Sequence, residues 1–210
     1  MGIIDLRKEL RNLYSPPSKS VVVIDIPAFN FVMIDGTMLT GQTPENSSDF
    51  QQAIGALYGA SYTIKFQTKL RPENPVNYSV MALEGLWWVD SGKFDFQSTE
   101  PWHYTLMMLQ PDFISPQMYQ EAIQQLQKKR PNPALERLRY ERFQEGLCVQ
   151  TMHIGPYADE PATIQKMQDF IQQHGYRLRG RHHEIYLGDP RKANPEKLKT
   201  VLRHPIEQAA

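Results

Sequence analysis

The sequence lacks an excess of charge of either sign, because its 210 residues include 23 basic and 23 acidic side chains. A protein that grips nucleic acid by its phosphates needs clustered Lys and Arg that outnumber the local acids. The balance therefore predicts no direct nucleic-acid binding. Hydrophobic residues make up 40% of the chain and aromatic residues 10%, which suffices for a packed core and argues against disorder.

Cysteine is almost absent. Cys148 is the only one, so no intrachain disulfide or thiolate metal cluster can form. No apolar run approaches the length of a membrane span, and the first ten residues carry charges at Asp5, Arg7, Lys8 and Glu9, where a signal peptide would be apolar. These absences predict a cytoplasmic protein without a membrane partner.

Motifs for common cofactors are absent as well. No GxGxxG or GxxxxGK[ST] pattern occurs, so the sequence predicts no phosphate loop and no cofactor. His182 and His183 are adjacent, and on a strand they would point to opposite faces, so they cannot both reach one metal ion. The sequence therefore predicts no metal site.

The pattern of apolar residues predicts two domain-level segments. Residues 1–20 are expected to form a leading helix and a linker that ends in SPPS, and residues 21–210 a single domain. Within that domain, the order strand, helix, strand, strand occurs twice, over about 21–110 and 140–206. The prediction is an α+β fold of duplicated β-α-β-β units, with antiparallel sheets and a ligand cleft between the halves.

The individual elements follow from periodicity and from turn residues. A helix is expected over Asp49–Tyr58, ended by Gly59, and the alternation in SYTIKFQT predicts a strand directly after it. The other predicted strands are Phe29–Ile34, Ser79–Val89, His103–Leu109 and Gly146–His153, with short ones from Tyr176 and His182. The other predicted helices are Pro116–Arg130 and one that runs from Pro161 to a C-cap at Gly175.

The last predicted strand carries the first candidate site. Alternation places Ile185 and Leu187 on one face, toward the helix from Pro161, and Glu184 and Tyr186 on the other, toward the cleft. There a carboxylate would be desolvated and its pKa raised. The alternative is a Glu that faces solvent on the polar side of a strand.

Aromatic residues supply the second candidate site. The three tryptophans, Trp87, Trp88 and Trp102, lie close together in the sequence, near Glu84, His103 and Tyr104. Aromatic walls beside a carboxylate can hold a planar or cationic molecule by stacking and cation-π attraction. The alternative is a buried aromatic core with a polar edge.

Several longer segments resemble a known family. MHIGPYADEPATIQKMQDFI (152–171) and HHEIYLGDPRKANPEKLKTVLRHPI (182–206) resemble the GyrI-like (gyrase-inhibitor-like) small-molecule-binding domain family. DLRKELRNLY, FQQAIGALYGASYTIKF and LEGLWWVD resemble its stand-alone branch, so the resemblance covers nearly the whole chain. The loop from Gly36 to Ser47 departs from the family pattern. The family fold, as the resemblance implies it, is a duplicated β-α-β-β arrangement with a cleft between the halves.

The resemblance also implies a function and roles for residues. In related multidrug-binding regulators the glutamate at the position of Glu184 meets cationic aromatic ligands, and some stand-alone members hydrolyse cyclopropane-bearing genotoxic compounds. By that likeness Glu184 would be the general base and Tyr104 or Tyr186 the proton donor. Two functions remain open, a cyclopropanoid hydrolase and a non-catalytic protein that sequesters or senses planar aromatic ligands. The ligand walls would be Trp87, Trp88 and Trp102, with Glu84 and His103 as further candidates.

Overall fold

The computed structural model describes residues 2–92 and 99–209. Its strands are β1 (Ile3–Ile4), β2 (Val22–Met38), β3 (Asn77–Tyr78), β4 (Leu83–Trp88), β5 (Trp102–Gln110), β6 (Arg139–Ile154), β7 (Tyr176–Leu178), β8 (His182–Tyr186) and β9 (Lys199–Gln208). Its helices are α1 (Leu6–Glu9), α2 (Arg11–Tyr14), α3 (Ser48–Leu70), α4 (Pro116–Lys129) and α5 (Glu160–Gln173). Short 3-10 helices cover Pro133–Arg137, Tyr157–Asp159 and Pro195–Lys197.

The strands close into a barrel. Seven of them form one antiparallel sheet in the order β6-β2-β5-β4-β8-β9-β7. Because β6 also pairs with β9, the sheet closes on itself, and β7 extends from β9 outside the ring. β1 and β3 pair in parallel as a separate short ribbon. None of the described helices is both long enough and apolar enough to cross a membrane.

The predicted repeat is present in the order of the elements. With the short strands β3 and β7 left aside, strand, helix, strand, strand occurs as β2-α3-β4-β5 and again as β6-α5-β8-β9, and the α+β fold class is confirmed. The strands of the repeat differ from the predicted ones, because the prediction counted SYTIKFQT and the segment from Tyr176 in place of β5 and β9. The positive φ of 70° at Gly175, directly after α5, also agrees with its predicted role at a helix end. The sequence pattern does not predict β9, because both faces of β9 are buried and its residues show no alternation between core and solvent.

The helix after β2 corrects two predictions. α3 runs for 23 residues, so Gly59 does not end it and the segment SYTIKFQT is helical rather than a strand. Gly59 serves close packing instead, since a Cβ there would lie 2.9 Å from Cδ2 of Leu126 in α4. Tyr62 and Phe66 are largely exposed while Ile64 is fully buried, and the two aromatic rings stack one helical turn apart.

The barrel strands bury side chains on both faces over much of their length. The interior holds apolar side chains such as Leu86, Met107 and Ile185, whereas the outer face packs against α3 and α5. The prediction that Ile185 meets the helix from Pro161 is therefore wrong. Met167 of α5 instead contacts the face that carries Leu202, and Leu202 is the cross-strand neighbour of Glu184.

The chain before β2 plugs one end of the barrel. Leu13 and Tyr14 are buried, and the Tyr14 hydroxyl donates a hydrogen bond of 2.6 Å to the Glu84 carboxylate inside the barrel. Arg203 donates to the Leu13 carbonyl at 3.1 Å. The predicted leading helix is thus two short helices packed on the barrel, and the division of the chain at residue 20 stays a prediction.

A buried charge network occupies the same end of the interior. The His183 ring lies between two carboxylates, with Nδ1 3.0 Å from Glu145 and Nε2 3.1 Å from Glu84. Arg203 donates to Glu145 at 3.2 Å. Burial alone would raise the pKa of Glu145, but His183 and Arg203 outweigh it and bring that pKa to about 2. The pKa of His183 is raised against its burial, chiefly by Glu145, so the network sets a histidine and an arginine between two glutamates.

Replacing Tyr14 with Phe tests whether the contact of the N-terminal segment with Glu84 stabilises the barrel. We expect Tyr14→Phe to lower the free energy of unfolding by about 1–3 kcal/mol, because a buried carboxylate loses a donor. Urea denaturation followed by circular dichroism measures the change. Tyr62→Phe removes an exposed hydroxyl and should change the stability by less than about 0.5 kcal/mol. Equal stability of the two variants would contradict a stabilising role for the Tyr14 contact.

Candidate functional site

β8 divides its side chains between the two faces of the barrel wall. His183 and Ile185 point inward, whereas His182, Glu184 and Tyr186 point outward. The two adjacent histidines therefore face opposite ways, as the sequence predicts. On the outer side, α3 packs over β2 and β5, and α5 packs over β6 and β7. β4 and β8 lie between those pairs in the sheet order, so their outer faces form the floor between the two helices.

Five side chains on and beside this floor form what we call the acid–aromatic cleft. It consists of Trp87 on β4, Glu184 and Tyr186 on β8, Glu160 at the start of α5, and Tyr157 in the turn before α5. The Tyr157 and Tyr186 rings meet edge to face with centroids 5.9 Å apart. Besides burial, the charge of Glu184 contributes to the raised pKa values of Tyr157, Glu160 and Tyr186, so its carboxylate lies at the centre of the group.

A pair of histidines holds Glu184. His182 Nε2 lies 2.9 Å from Glu184 Oε1, and its Nδ1 lies 3.0 Å from His204 Nε2 on β9. Burial and the neighbouring His182 keep the pKa of His204 well below its ordinary value, so His204 stays neutral. Glu184 itself is only 6% exposed. A hydrogen-bonded relay on the outer face thus fixes the orientation of the carboxylate.

Tyr186 and Trp87 form a hydrogen-bonded pair beside Glu184. The Trp87 indole N–H donates to the Tyr186 hydroxyl at 3.0 Å. Gly85 permits this approach, since a Cβ there would lie 2.8 Å from Trp87 Nε1 and 3.3 Å from the Tyr186 hydroxyl. Burial and the charge of Glu184 raise the pKa of Tyr186 well above its ordinary value, so Tyr186 remains a hydroxyl.

Glu160 is the least expected member of the cleft. It is fully buried, and neither of its carboxylate oxygens has a hydrogen-bond partner in the part of the chain that the structure describes. Burial and the charge of Glu184 raise the pKa of Glu160 to about 9, against a weaker opposing effect of the Thr200 hydroxyl. Glu160 is therefore a neutral carboxylic acid at pH 7. Burial and these two carboxyl groups also raise the pKa of Tyr157 to about 12.

The arrangement offers a protonated carboxyl group, Glu160, and a second carboxyl group held by His182, beside aromatic surfaces. A neutral acid and a positioned carboxylate in one desolvated site are suited to donate and accept protons in a single reaction. The same carboxylate beside Trp and Tyr rings attracts cationic or planar aromatic molecules. The residue types gathered here are therefore those that binding of such molecules and acid-base chemistry on them would need.

Two further predicted residues lie on the same outer face, nearer α3. Trp102 contacts Trp87 edge to face with centroids 6.3 Å apart. Tyr104 is fully buried beneath α3, and its hydroxyl donates to Asp49 at 3.0 Å. Asp49 is also ion-paired with Arg137 at 2.6 Å. The Tyr104 hydroxyl is thus engaged within the α3 packing, whereas Tyr186 directly adjoins Glu184.

The remaining three predicted residues point the other way, into the barrel. Glu84 lies in the interior charge network and is 1% exposed. The Trp88 ring stacks on His103 with centroids 5.5 Å apart. His103 in turn contacts Thr37 at 3.0 Å and Asp90 at 3.1 Å. The structure therefore separates the predicted set into an outer group around Glu184 and an inner group around Glu84 and Trp88.

Sequence reasoning misses Glu160 and Tyr157. In the sequence, Glu160 precedes Pro161 at the start of a helix, where an acidic residue is ordinarily explained by the helix dipole. Only the packing of α5 over the sheet brings it to Glu184, and no local pattern encodes that contact. The turn Gly155-Pro156-Tyr157 marks the place where Tyr157 enters the cleft, but turn residues alone do not indicate a ligand site.

The model of the GyrI-like small molecule binding domain matches residues 19–207. No curated protein matches the chain. A crystal structure of an uncharacterised conserved protein from Listeria innocua shares 39% identity over 97% of this chain and 100% of its own, with a TM-score of 0.87.

Other solved structures agree with that match. A hydrolase from Listeria innocua shares 37% identity over 98% of this chain and 100% of its own, with a TM-score of 0.86. The C-terminal domain of EcmrR matches 90% of this chain and 98% of its own with a TM-score of 0.54, and its 10% identity supports likeness of fold alone.

Glu160→Gln tests the protonation state of the buried acid. In the wild type Glu160 stays protonated when folded but ionises when unfolded above pH 4.5, so its contribution favours unfolding as pH rises toward about 9. The variant has no such dependence. We therefore expect the stability of the variant relative to wild type to grow by about 1.4 kcal/mol per pH unit between pH 5 and 8.

Urea denaturation across that pH range measures the difference. The exposed Glu73 provides the matched control, since Glu73→Gln should show a constant difference from wild type at every pH. A pH-independent difference for Glu160→Gln would contradict a raised pKa at that position.

Proposed function

The chain belongs to the GyrI-like small-molecule-binding domain family, and from this premise we propose that it is a hydrolase of planar, cyclopropane-bearing aromatic compounds. The observation that carries the proposal is the pairing of Glu184 with a buried, protonated Glu160 in the acid–aromatic cleft. Its similarity to a hydrolase from Listeria innocua supports an enzymatic activity. The single cysteine favours a cytoplasmic location.

The proposed reaction adds water across one bond of a strained ring. Glu184 accepts a proton from water while the water oxygen bonds to a ring carbon and the adjacent carbon–carbon bond breaks. The electron pair of that bond moves into the conjugated aromatic ketone, whose oxygen takes a proton from Glu160 and becomes a phenol. Proton transfer from Glu184 back to Glu160, through water, restores both groups. The product equals substrate plus water.

Positioning comes from the aromatic members of the cleft. Trp87 and Tyr157 would hold the planar substrate, and Trp102 supports Trp87 from behind. Tyr186, which remains protonated beside Glu184, would stabilise the developing negative charge on oxygen by hydrogen bonding. Tyr104 is less suited to that role because it lies beneath α3, where its hydroxyl donates to Asp49, whereas Tyr186 adjoins Glu184.

The second candidate function is binding of a ligand in the same cleft without a reaction. A buried carboxylate among Trp and Tyr rings favours cationic aromatic molecules, so the protein could sequester or sense such ligands. Both functions predict binding. Only the hydrolase predicts release of more than one equivalent of ring-opened product per protein molecule.

Turnover therefore decides between the two functions. With a duocarmycin-type cyclopropane in large excess over the protein, we expect ring-opened product to accumulate well beyond one equivalent, as measured by chromatography and mass spectrometry. Glu184→Gln should lower kcat by about 100-fold or more, since it removes the base, and should leave the dissociation constant within a few-fold, since stacking remains. Product limited to one equivalent would favour the sequestering function.

Two further variants accompany that experiment, one as a control and one as a test of the aromatic wall. Glu73→Gln makes the same chemical change at an exposed position and should leave kcat unchanged. Trp87→Phe keeps an aromatic ring but removes the hydrogen bond to Tyr186, so it should raise KM and lower kcat moderately. A Glu184→Gln variant with the wild-type rate would exclude Glu184 as the base.

The pH dependence of the rate tests Glu160 as the proton donor. A donor must be protonated, so kcat/KM should fall on the alkaline side with an apparent pKa near 9, the value to which burial and Glu184 raise the pKa of Glu160. Rates measured from pH 6 to 10 give the profile. In Glu160→Gln the rate should be lower and the alkaline limb absent. An unchanged alkaline limb in this variant would assign it to another group.

A further inference from the structure

A second cavity lies on the opposite side of the same barrel wall. It has a volume of about 350 Å³, within the size range of pockets for small molecules. Leu86 on β4 and Thr105 on β5 belong to the interior face and line it, while exposed residues such as Glu141 and Gln144 lie at its opening. The cavity thus occupies the end of the barrel that opens to solvent.

Three arginines surround this opening and form what we call the basic mouth: Arg139, Arg179 and Arg181. Arg139 is neutralised, because it is ion-paired with Asp35 at 2.8 Å and with Glu141 at 2.7 Å. The other two arginines have no carboxylate within ion-pair distance in the segments 2–92 and 99–209. The mouth therefore carries a net positive charge.

Both uncompensated arginines are nevertheless held in place. The Arg181 guanidinium lies over the Trp88 ring, 3.5 Å from its centroid, and donates to the Thr105 hydroxyl at 3.3 Å. Arg179 donates to the carbonyl oxygens of Ile206 and Glu145. Stacking and neutral acceptors order these cations without neutralising them, and that leaves their charge available to an anion.

The polarity of the walls and the floor of the cavity determines which part of a ligand it can accept. Met33, Leu86, Phe143 and Pro205 make the walls largely apolar. The one acid at the floor, Glu145, is neutralised by His183 and Arg203, so it does not repel an incoming anion. An apolar chamber below a positively charged rim matches a molecule with an apolar body and an anionic head.

We propose that the barrel interior is a second binding site, which takes amphipathic anions: an apolar or aromatic body in the chamber and a carboxylate or sulfonate on Arg179 and Arg181. This site is separate from the acid–aromatic cleft and does not depend on the proposed hydrolase function. The two sites differ in charge preference, because the outer cleft presents carboxyl groups and the interior presents arginines. The barrel wall separates them.

Matched ligands of opposite charge test the proposal. Decanoate and decylamine have the same chain length, so isothermal titration calorimetry of the full chain with each, below the concentrations at which they aggregate, isolates the effect of the head group. We expect decanoate to bind at one site and at least about tenfold more tightly than decylamine, as expected for a charge-assisted hydrogen bond. Equal affinity for the two ligands, or no decanoate binding, would overturn the proposal.

Variants locate the decanoate site. Arg181→Gln should weaken decanoate binding about tenfold, and Arg181→Lys, which keeps the charge, should weaken it less. Arg177→Gln is the matched control, since Arg177 lies on β7 with 61% of its side chain exposed and pairs with Glu207 at 2.8 Å. It should leave decanoate binding unchanged. Thermal unfolding verifies that each variant is folded. An equal loss in Arg177→Gln would overturn the proposal, as would loss of decanoate binding in Glu184→Gln, which would place the anion in the outer cleft.

Discussion

The pairing of β6 with β9 is the constraint on which the rest of the structure depends. It turns an open sheet into a barrel, so each of the six strands in the ring acquires an inner face. Because α3 and α5 cover much of the outer face, the strands between and beneath them are buried on both sides. Polar residues on such strands must find partners within the protein, and the two clusters of buried ionisable groups are the outcome.

This constraint explains which parts of the fold can be read from the sequence. Elements with one solvent-exposed face, such as α4 and α5, show the apolar periodicity that predicts them. β9 does not, since nearly all of it is buried. Part of α3 is predicted wrongly because it has exposed aromatic residues. Its Tyr62 and Phe66 are exposed and stack on one another, so a helical ladder of aromatic rings imitates the alternation of a strand.

For the same reason, the sequence predicts only part of the candidate site. Alternation along β8 is sufficient to place Glu184 and Tyr186 on one face, and the structure joins Tyr186 to Trp87 by a hydrogen bond. Alternation cannot tell which face meets which helix, so the sequence places Ile185 rather than Glu184 toward α5. Neither can it find Glu160, whose role depends on a contact across the fold between the start of α5 and β8. Nor does adjacency in sequence imply adjacency in space: Trp87 and Trp88 lie on opposite sides of the barrel wall.

One strand thus serves two chemical environments, and the adjacent histidines of β8 mark the division. His182 holds Glu184 beside a neutral acid on the outer face, whereas His183 lies between two carboxyl groups in the interior, where Glu145 raises its pKa against the effect of burial. The difference arises from partners rather than from residue type, since each ring is almost fully buried. A buried carboxyl group with an ionised neighbour and no cation keeps its proton, as Glu160 does. A carboxyl group that faces His183 and Arg203 loses it, as Glu145 does. The barrel wall keeps these two arrangements apart, so one small domain can hold an acid-base pair and a neutralised ion network a single strand's thickness from each other.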